Sequence, residues 1–231
     1  MKIGIFTDSH YSSKKVTCET RYCSKSIIKI KKAYDCFKKE KCELVVCLGD
    51  LIDTEDTVEK EIENLKSIAK IINSSPIPTV CLMGNHDAFV LTPKDFYSYL
   101  NINPPKDISQ NGLQLIFLDA CYFKNGKHYA PGDSEWKDCF LKNEKELEEK
   151  LKSSKDKTYI FIHQNINPAI RADHRIYNGD KVFKIIDNSG IVDTVFEGHY
   201  HPGNYSIYNG VKYVTLPAMC ETEDGFSIID L

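Results

Sequence analysis

Five short segments of this chain concentrate side chains that can hold metal ions. They are Asp8-Ser9-His10, Gly49-Asp50-Leu51-Ile52-Asp53, Gly84-Asn85-His86-Asp87, His163, and Gly198-His199-Tyr200-His201. Five of the seven histidines (His10, His86, His163, His199, His201) fall in them, and His128 and His174 read as surface or loop residues. Singly, each segment has an ordinary explanation: a capping aspartate, a Gly-Asp turn, a hydrogen-bonded histidine at a strand end. His-x-His is a better metal signal, because residues two apart in an extended segment point to the same side. Gly-Asn-His-Asp is the most specific, since three polar side chains directly after an apolar run need a reason. Mixed imidazole, carboxylate and amide donors suit Mn²⁺, Fe, Co²⁺ or Zn²⁺ and require no cysteine. Six strong ligands plus an amide are too many for one catalytic ion. They fit two ions about 3.5–4 Å apart, the arrangement used for in-line displacement at phosphorus.

Such a set must be gathered by the fold. Apolar, β-rich runs occupy residues 2–7, 44–48, 79–83, 113–118, 158–162 and 191–196. Helical spacing appears in Ile27, Ile30, Tyr34 and Phe37 of the stretch 26–40, and again in Val58, Ile62, Leu65, Ile68 and Ile72. A third helix is expected from Ser134, as N-cap, through Trp136, Phe140, Leu147 and Leu151. The charge-dense residues 143–152 read as its solvated face. Asn111-Gly112 and Asn209-Gly210 each separate β-like runs, and Asn-Gly is the preferred pair for a tight type I′ turn. The runs 205–208, 211–216 and 226–229 therefore read as antiparallel strands. Strands alternating with helices, then a strand-rich tail, give an α/β core with sheets packed between helices. The chemical segments follow strands, and ligands in open α/β sheets gather beyond the carboxyl ends of the strands, so the segments should converge at one edge.

Composition is consistent with this and excludes other classes. The chain has 231 residues, 42% of them hydrophobic and 27% charged, which suffices for one sizeable core and favours a single domain over residues 1–231. A net charge of −3 argues against a general nucleic-acid binder, because phosphate contacts need a basic surplus. No run approaches the roughly 18 apolar residues of a membrane span, and Lys2–Phe6 is too short for a secretory leader. Nine cysteines, an odd number without CxxC pairs, read as free thiols of a reducing compartment. The expectation is a cytoplasmic protein.

The order Asp-x-His, Gly-Asp-x-x-Asp, Gly-Asn-His-Asp, His, Gly-His-x-His, running from residue 8 to residue 201, resembles the calcineurin-like metallophosphoesterase superfamily. The resemblance implies a four-layer αββα sandwich of two mixed sheets flanked by helices. It implies that Asp8, His10 and His201 hold one divalent ion, that Asn85, His163 and His199 hold the other, and that Asp50 bridges them. Mn²⁺ is the expected metal, and a hydroxide bridging the two ions is the expected nucleophile. His86 would not be a ligand; it would face the substrate phosphate and stabilise it or protonate the leaving oxygen. Asp87 would orient His86, and Asp53 would close hydrogen bonds around the bridging loop. Two divalent cations outweigh the charges of Asp8 and Asp50, so the pocket would be positive in a chain of net charge −3.

A narrower resemblance lies outside the ligands. Arg21-Tyr22 with Ser26, the stretch from Tyr177-Asn178 to Ile186, Gly198–Tyr205, Asn209–Val211, Tyr213–Leu216 and Glu221 are similar to the manganese-dependent ADP-ribose/CDP-alcohol pyrophosphatase family. Two departures weaken it: that family typically has glutamine where His10 stands, and its members are usually longer. The expected activity is hydrolysis of a phosphodiester or pyrophosphate bond in a small, nucleotide-type substrate. The alternatives are a cyclic-nucleotide phosphodiesterase, a general phosphomonoesterase, and a non-catalytic scaffold with the same fold. Substrate-reading loops are sought at 11–21, 88–93, 123–133 and 164–177, where Tyr11, Phe89, Tyr122, Tyr129 and Tyr177 read mainly as packing residues, with base stacking as the minority alternative.

Overall fold

The computed structural model describes residues 1–231. Its strands fall into two sheets. The first contains β1 (Lys2–Phe6), β2 (Leu44–Cys47) and β3 (Thr79–Cys81) in parallel, with β10 (Phe226–Asp230) antiparallel at the β1 edge. The second has the order β4 (Ile108–Gln110), β5 (Leu113–Leu118), β6 (Lys157–Ile162), β7 (Val192–Glu197), β9 (Val211–Thr215), β8 (Asn204–Tyr208). Its four central strands are parallel and both edges are antiparallel. Both sheets are mixed, as expected.

Strand alternation explains the layering. Ile3, Ile5, Leu44 and Val46 point from the first sheet toward Leu115, Tyr159, Phe161 and Phe196 of the second, forming an inner core. There Phe161 is stacked between Phe117 and Phe196, with ring centroids 5.2 and 5.1 Å away. The opposite faces are covered by helices. Helices α1 (Ser26–Lys39) and α2 (Val58–Ser74) bury Ile30, Phe37, Leu65 and Ile68, while α5 (Glu144–Ser153) and α6 (Gly179–Ser189) bury Leu147, Leu151, Val182 and Ile186. Gly4 lets α1 lie directly on β1, since a Cβ there would sit 2.5 Å from the Phe37 ring. The result is helix, sheet, sheet, helix.

Both Asn-Gly pairs form hairpin turns with positive φ at each residue, linking β4 to β5 and β8 to β9. One sequence expectation changes. The helix expected from Ser134 begins only at Glu144, and residues 136–138 form an isolated 3-10 turn. Tertiary partners intercept the intervening backbone: Phe140 N–H donates to the Ala120 carbonyl, and Leu141 N–H donates to Asn178 Oδ1. The four-residue spacing of Trp136 and Phe140 mimics a helix face that never forms. In the tail, β10 does not continue the β8–β9 hairpin but crosses to the other sheet and pairs with β1. Two short helices, α3 (Asn85–Val90) and α4 (Pro93–Leu100), follow β3, with Thr92 capping α4 by accepting from Asp95 N–H.

Candidate metal centre and cleft

The five segments meet at one edge of the sandwich, beyond the carboxyl ends of β1, β2, β3, β6 and β7. The backbone bends hard to bring them there. Asp8, His10, Asp50 and His199 all have φ between 43° and 64°, a left-handed conformation that side-chain-bearing residues rarely adopt. Each such residue costs about 1–3 kcal/mol and persists where the surroundings over-determine it. Close approach does the rest. A Cβ on Gly84 would lie 2.0 Å from Asp50 Oδ1, and one on Gly49 2.9 Å from His163 Nδ1.

Among four overlapping donor groups, which include His10-Asp50-His86 and His201-Cys220-Glu221, two hold the other ligand candidates. In one, Asp8 Oδ1 lies 3.6 Å from His10 Nε2 and 3.5 Å from His201 Nε2, and the two ring nitrogens are 3.2 Å apart. The other contains Asp50, His163 and His199, with His163 Nε2 3.2 Å from Asp50 Oδ2. That same Asp50 oxygen is 3.5 Å from His10 Nε2, so Asp50 stands between the groups. Several of the atoms facing inward have no hydrogen-bond partner. Asp8 Oδ1, Asn85 Oδ1 and His163 Nε2 are buried and accept or donate no hydrogen bond, whereas Asp8 Oδ2 is taken by Thr7 Oγ1 and His199 N–H, and Asp50 Oδ1 by His86 N–H. Buried polar atoms left bare around one point are the mark of a cation site.

Two of the other ring nitrogens are tied back. His163 Nδ1 is 3.1 Å from the Leu48 carbonyl and His201 Nδ1 is 2.7 Å from Glu221 Oε1, which leaves each Nε2 for the site. Burial, with the neighbouring imidazoles, pushes His10 down to about 4 and His199 down to about 3, so both are neutral at neutral pH, the form that binds metal. Burial opposes charge on His163 too, yet Asp50 and Asp8 outweigh it and raise it to about 9. The two buried carboxylates thus call for positive charge beside them. The residues present fit two divalent cations.

His86 lies beside this set, its ring edge-on to His10 with centroids 4.6 Å apart. Its carboxylate partner is Asp53 and not Asp87: His86 Nδ1 is 3.4 Å from Asp53 Oδ1. Asp87 occupies the third position of α3, and successive helical residues do not face each other. Its carboxylate instead accepts from the N–H groups of Gly84, Leu51 and Ile52, stapling the loop after β3 to the loop after β2. Burial and the nearby Asp50 push Asp87 up to about 7. Asp53 also accepts from Thr17 Oγ1 at 2.8 Å and faces Arg21 Nη1 at 3.4 Å. Burial would raise the Asp53 carboxyl, but the His86 contact and the charges of His10 and His86 outweigh it and hold the group below the usual carboxylate range.

A cleft of about 290 Å³ opens over Asp50, Asn85, His86, His199 and His201. Thr20, Arg21 and Glu221 line it on one side, and Trp136 and His174 also border it. None of the five loop aromatics for which base stacking is the minority alternative lines it. Tyr129 is buried against Phe89 and Phe123, Tyr122 packs edge-on to His128, and Tyr177 lies under Lys124. Trp136, read from sequence as a helix residue, and His174, read as a surface residue, were missed because their spacing carries no signal. Only the folding of loops 119–143 and 164–177 over the sheet edge brings them to the metal set.

Comparison with known proteins agrees with this geometry. The family model of the calcineurin-like phosphoesterases matches residues 1–203. A protein from Psychrobacter arcticus, described as a probable cyclic nucleotide phosphodiesterase, is 25% identical over 231 residues, covering 93% of this chain and 74% of that protein. A second, from Psychrobacter sp. strain PRwf-1 and described likewise, is 22% identical; the match covers 77% of this chain but only 52% of that protein, so this chain spans about half of its length. The crystal structure of a dimetal phosphatase from Danio rerio superposes with a TM-score of 0.84 at 17% identity, covering 98% of this chain and 91% of that one. With a family model spanning most of its length, two mixed sheets between helices, and His/Asp clusters at the sheet edge, the chain belongs to the calcineurin-like phosphoesterases.

Proposed function

We propose that this phosphoesterase hydrolyses a phosphodiester or pyrophosphate bond in a small, nucleotide-derived substrate, using two divalent metal ions. One observation carries the reading: two donor groups, His10-Asp50-His86 and Asp50-His163-His199, share Asp50 under a cleft whose edge presents His86, and in this reading His86, paired to the Asp53 carboxylate, holds neither ion. In this reading Asp8, His10 and His201 hold one ion, Asn85, His163 and His199 the other, and Asp50 both. We assign Mn²⁺ to the site, since imidazole, carboxylate and amide donors suit it. When bound, the ions supply an ionised water as nucleophile and neutralise the phosphoryl oxygens.

The chain's own residues do the rest. His86, its Nδ1 turned to Asp53, presents the other ring nitrogen to the leaving oxygen and donates the proton that departure requires. Asp53 holds the ring in that orientation and favours its protonated form. Arg21 adds a fixed positive charge to the wall, and Glu221 keeps His201 turned inward. A non-catalytic scaffold would have no use for the Asp53–His86 pair, which favours an enzyme.

The relatives described as probable cyclic nucleotide phosphodiesterases favour a second reading, with a cyclic nucleotide as substrate. A hydrolysis panel with Mn²⁺-loaded protein separates the two: ADP-ribose and CDP-choline against 2′,3′- and 3′,5′-cyclic nucleotides, with aryl phosphate mono- and diesters as references. His86→Ala should retain two bound metals and lose most turnover; an active variant would sink the role given to His86. No helix is long and apolar enough to cross a membrane, and all nine cysteines are free thiols, which supports placing the protein in the reducing cytoplasm.

A further inference from the structure

Trp136 is the chain's only tryptophan, and it belongs to neither hydrophobic core. A residue of this size is ordinarily kept for packing. Here it projects from a 3-10 turn to the rim of the cleft and meets two histidine rings edge-on. The ring centroids lie 5.1 Å from His174 and 5.5 Å from His199. His174 in turn packs on His199 at 5.6 Å and on Tyr200 at 5.2 Å, with Nδ1 held 3.0 Å from Asp173 Oδ1. The turn is anchored from behind, where Tyr129 O–H donates to the buried Cys139 thiol and that thiol contacts the Trp136 carbonyl. The cleft therefore has unlike sides. Beside His201 it is polar and of mixed charge, with Thr20, Arg21 and Glu221; beside His199 it is planar and aromatic, with Trp136 and His174.

We propose that Trp136 and His174 form a subsite for a planar aromatic group attached to the substrate phosphate, the nucleobase of a nucleotide substrate. This rests on the phosphoester reading of the site and adds which part of the substrate sits at the His199 end. Stacking on an aromatic side chain is tolerant of base identity, because every base has a π-face, and removing such a platform weakens binding by about 5- to 150-fold per base. The subsite would thus select for the presence of a base and not for its kind.

The test uses two phosphonates whose C–P bonds resist hydrolysis, phenylphosphonate and methylphosphonate, titrated by calorimetry into Mn²⁺-loaded protein. Phenylphosphonate should bind about tenfold more tightly, and should perturb the emission of the single tryptophan where methylphosphonate does not. In Trp136→Ala the tenfold gap should close while methylphosphonate affinity stays unchanged, which also reports an intact metal centre. Trp136→Phe should keep most of the gap, and His174→Ala should narrow it. Equal affinity of the two probes for the natural protein overturns the subsite. So does a gap that survives in Trp136→Ala, or an equal loss of both affinities, which would make Trp136 a structural residue only. The outcomes separate from those of the hydrolysis panel: a persisting phosphonate gap with no nucleotide turnover would reject the nucleotide reading and leave the aromatic subsite standing.

Discussion

Exchanging Asp53 for asparagine tests how the cleft moves a proton. The side chain keeps its size and its acceptor toward Thr17, but it loses the charge that faces His86 at 3.4 Å, Arg21 at 3.4 Å and His10 Nδ1 at 3.8 Å. Asp53 ordinarily favours a protonated, oriented His86, so the variant should leave an imidazole that is less often charged and less firmly aimed. Outer-shell partners of this kind are worth about 10- to 100-fold, whereas general acid catalysis as a whole contributes about 10²- to 10⁴-fold. Asp53→Asn should therefore lower kcat about 10- to 100-fold, with KM little changed, and His86→Ala should lower it further. The decisive measurement is the double variant. If Asp53 acts through His86, adding Asp53→Asn to His86→Ala costs nothing more; independent roles would multiply. Metal content by elemental analysis must stay at two ions throughout, since His10 is a neighbour. A multiplicative double variant with full metal occupancy would falsify the Asp53–His86 pairing, and loss of metal in Asp53→Asn would reassign Asp53 to the metal centre.

Other perturbations have separate readouts. Asp50→Ala removes the one carboxylate shared by both donor groups and should lose metal occupancy, so a fully metallated, active variant refutes the bridging role. Asp87→Ala leaves three buried backbone N–H groups without their acceptor and should cost about 3 kcal/mol or more in denaturant unfolding; a selective loss of kcat at normal stability would instead return Asp87 to the chemistry. Glu197→Gln should destabilise by about 2 kcal/mol, because the buried Glu197 carboxylate accepts from Ile166 N–H, Asn167 N–H, Asn165 Nδ2 and Thr215 Oγ1, and an amide cannot accept at both ends. Chelation should lower the melting temperature, and returning ions at a hundredfold excess over Kd should restore about 2.7 kcal/mol; a melting curve indifferent to chelator and metal would remove the cation site.

Legibility followed locality. The strands and the two long helices are apolar runs whose periodicity survives folding, and β5 runs over Leu113–Leu118 as the sequence predicts. Both Asn-Gly turns were visible because the pair itself prefers positive φ at both residues. The convergence of the five segments was legible for a related reason: each follows an apolar strand, and such loops gather at the carboxyl edge of the sheets. What failed depended on contacts distant in sequence. Asp87 is adjacent to His86 in the chain and faces away from it in the helix, while Asp53 arrives from another loop. The spacing of Trp136 and Phe140 predicts a helix because it cannot reveal that Ala120 and Asn178 capture the N–H groups of Phe140 and Leu141. Substrate-side residues were the least legible, since loop aromatics look alike until the loops are placed.

The acidic residues outside the metal set explain how so many strained loops keep one arrangement. Asp87 joins the loops after β2 and β3. Glu197, at the end of β7, takes the N–H groups of Ile166 and Asn167 and so fixes the turn that follows His163. Glu55 accepts from Ser12 Oγ and Ser13 Oγ at 3.0 Å each and from Asn64 Nδ2 at 2.8 Å, tying the loop after β1 to α2. Glu221 links the C-terminal segment to His201 at 2.7 Å and to Thr20 at 2.9 Å. Each loop that carries ligands is thus bound to another element by a carboxylate that does not itself face the cations. Hydrogen bonds to a charged group contribute about 1.5–3 kcal/mol each, comparable to the cost of the left-handed residues they restrain. The arrangement also separates two demands on acidic residues. Asp8 presents a bare oxygen to the centre and Asp50 an oxygen faced by the His163 and His10 imidazoles, where charge is useful only if a cation answers it. Asp87, Glu55 and Glu197 spend their oxygens on backbone and side-chain donors and hold the loops whether or not a cation is bound. It follows that the metal-free protein should keep its fold at the sheet edge and lose only the charge balance at its centre.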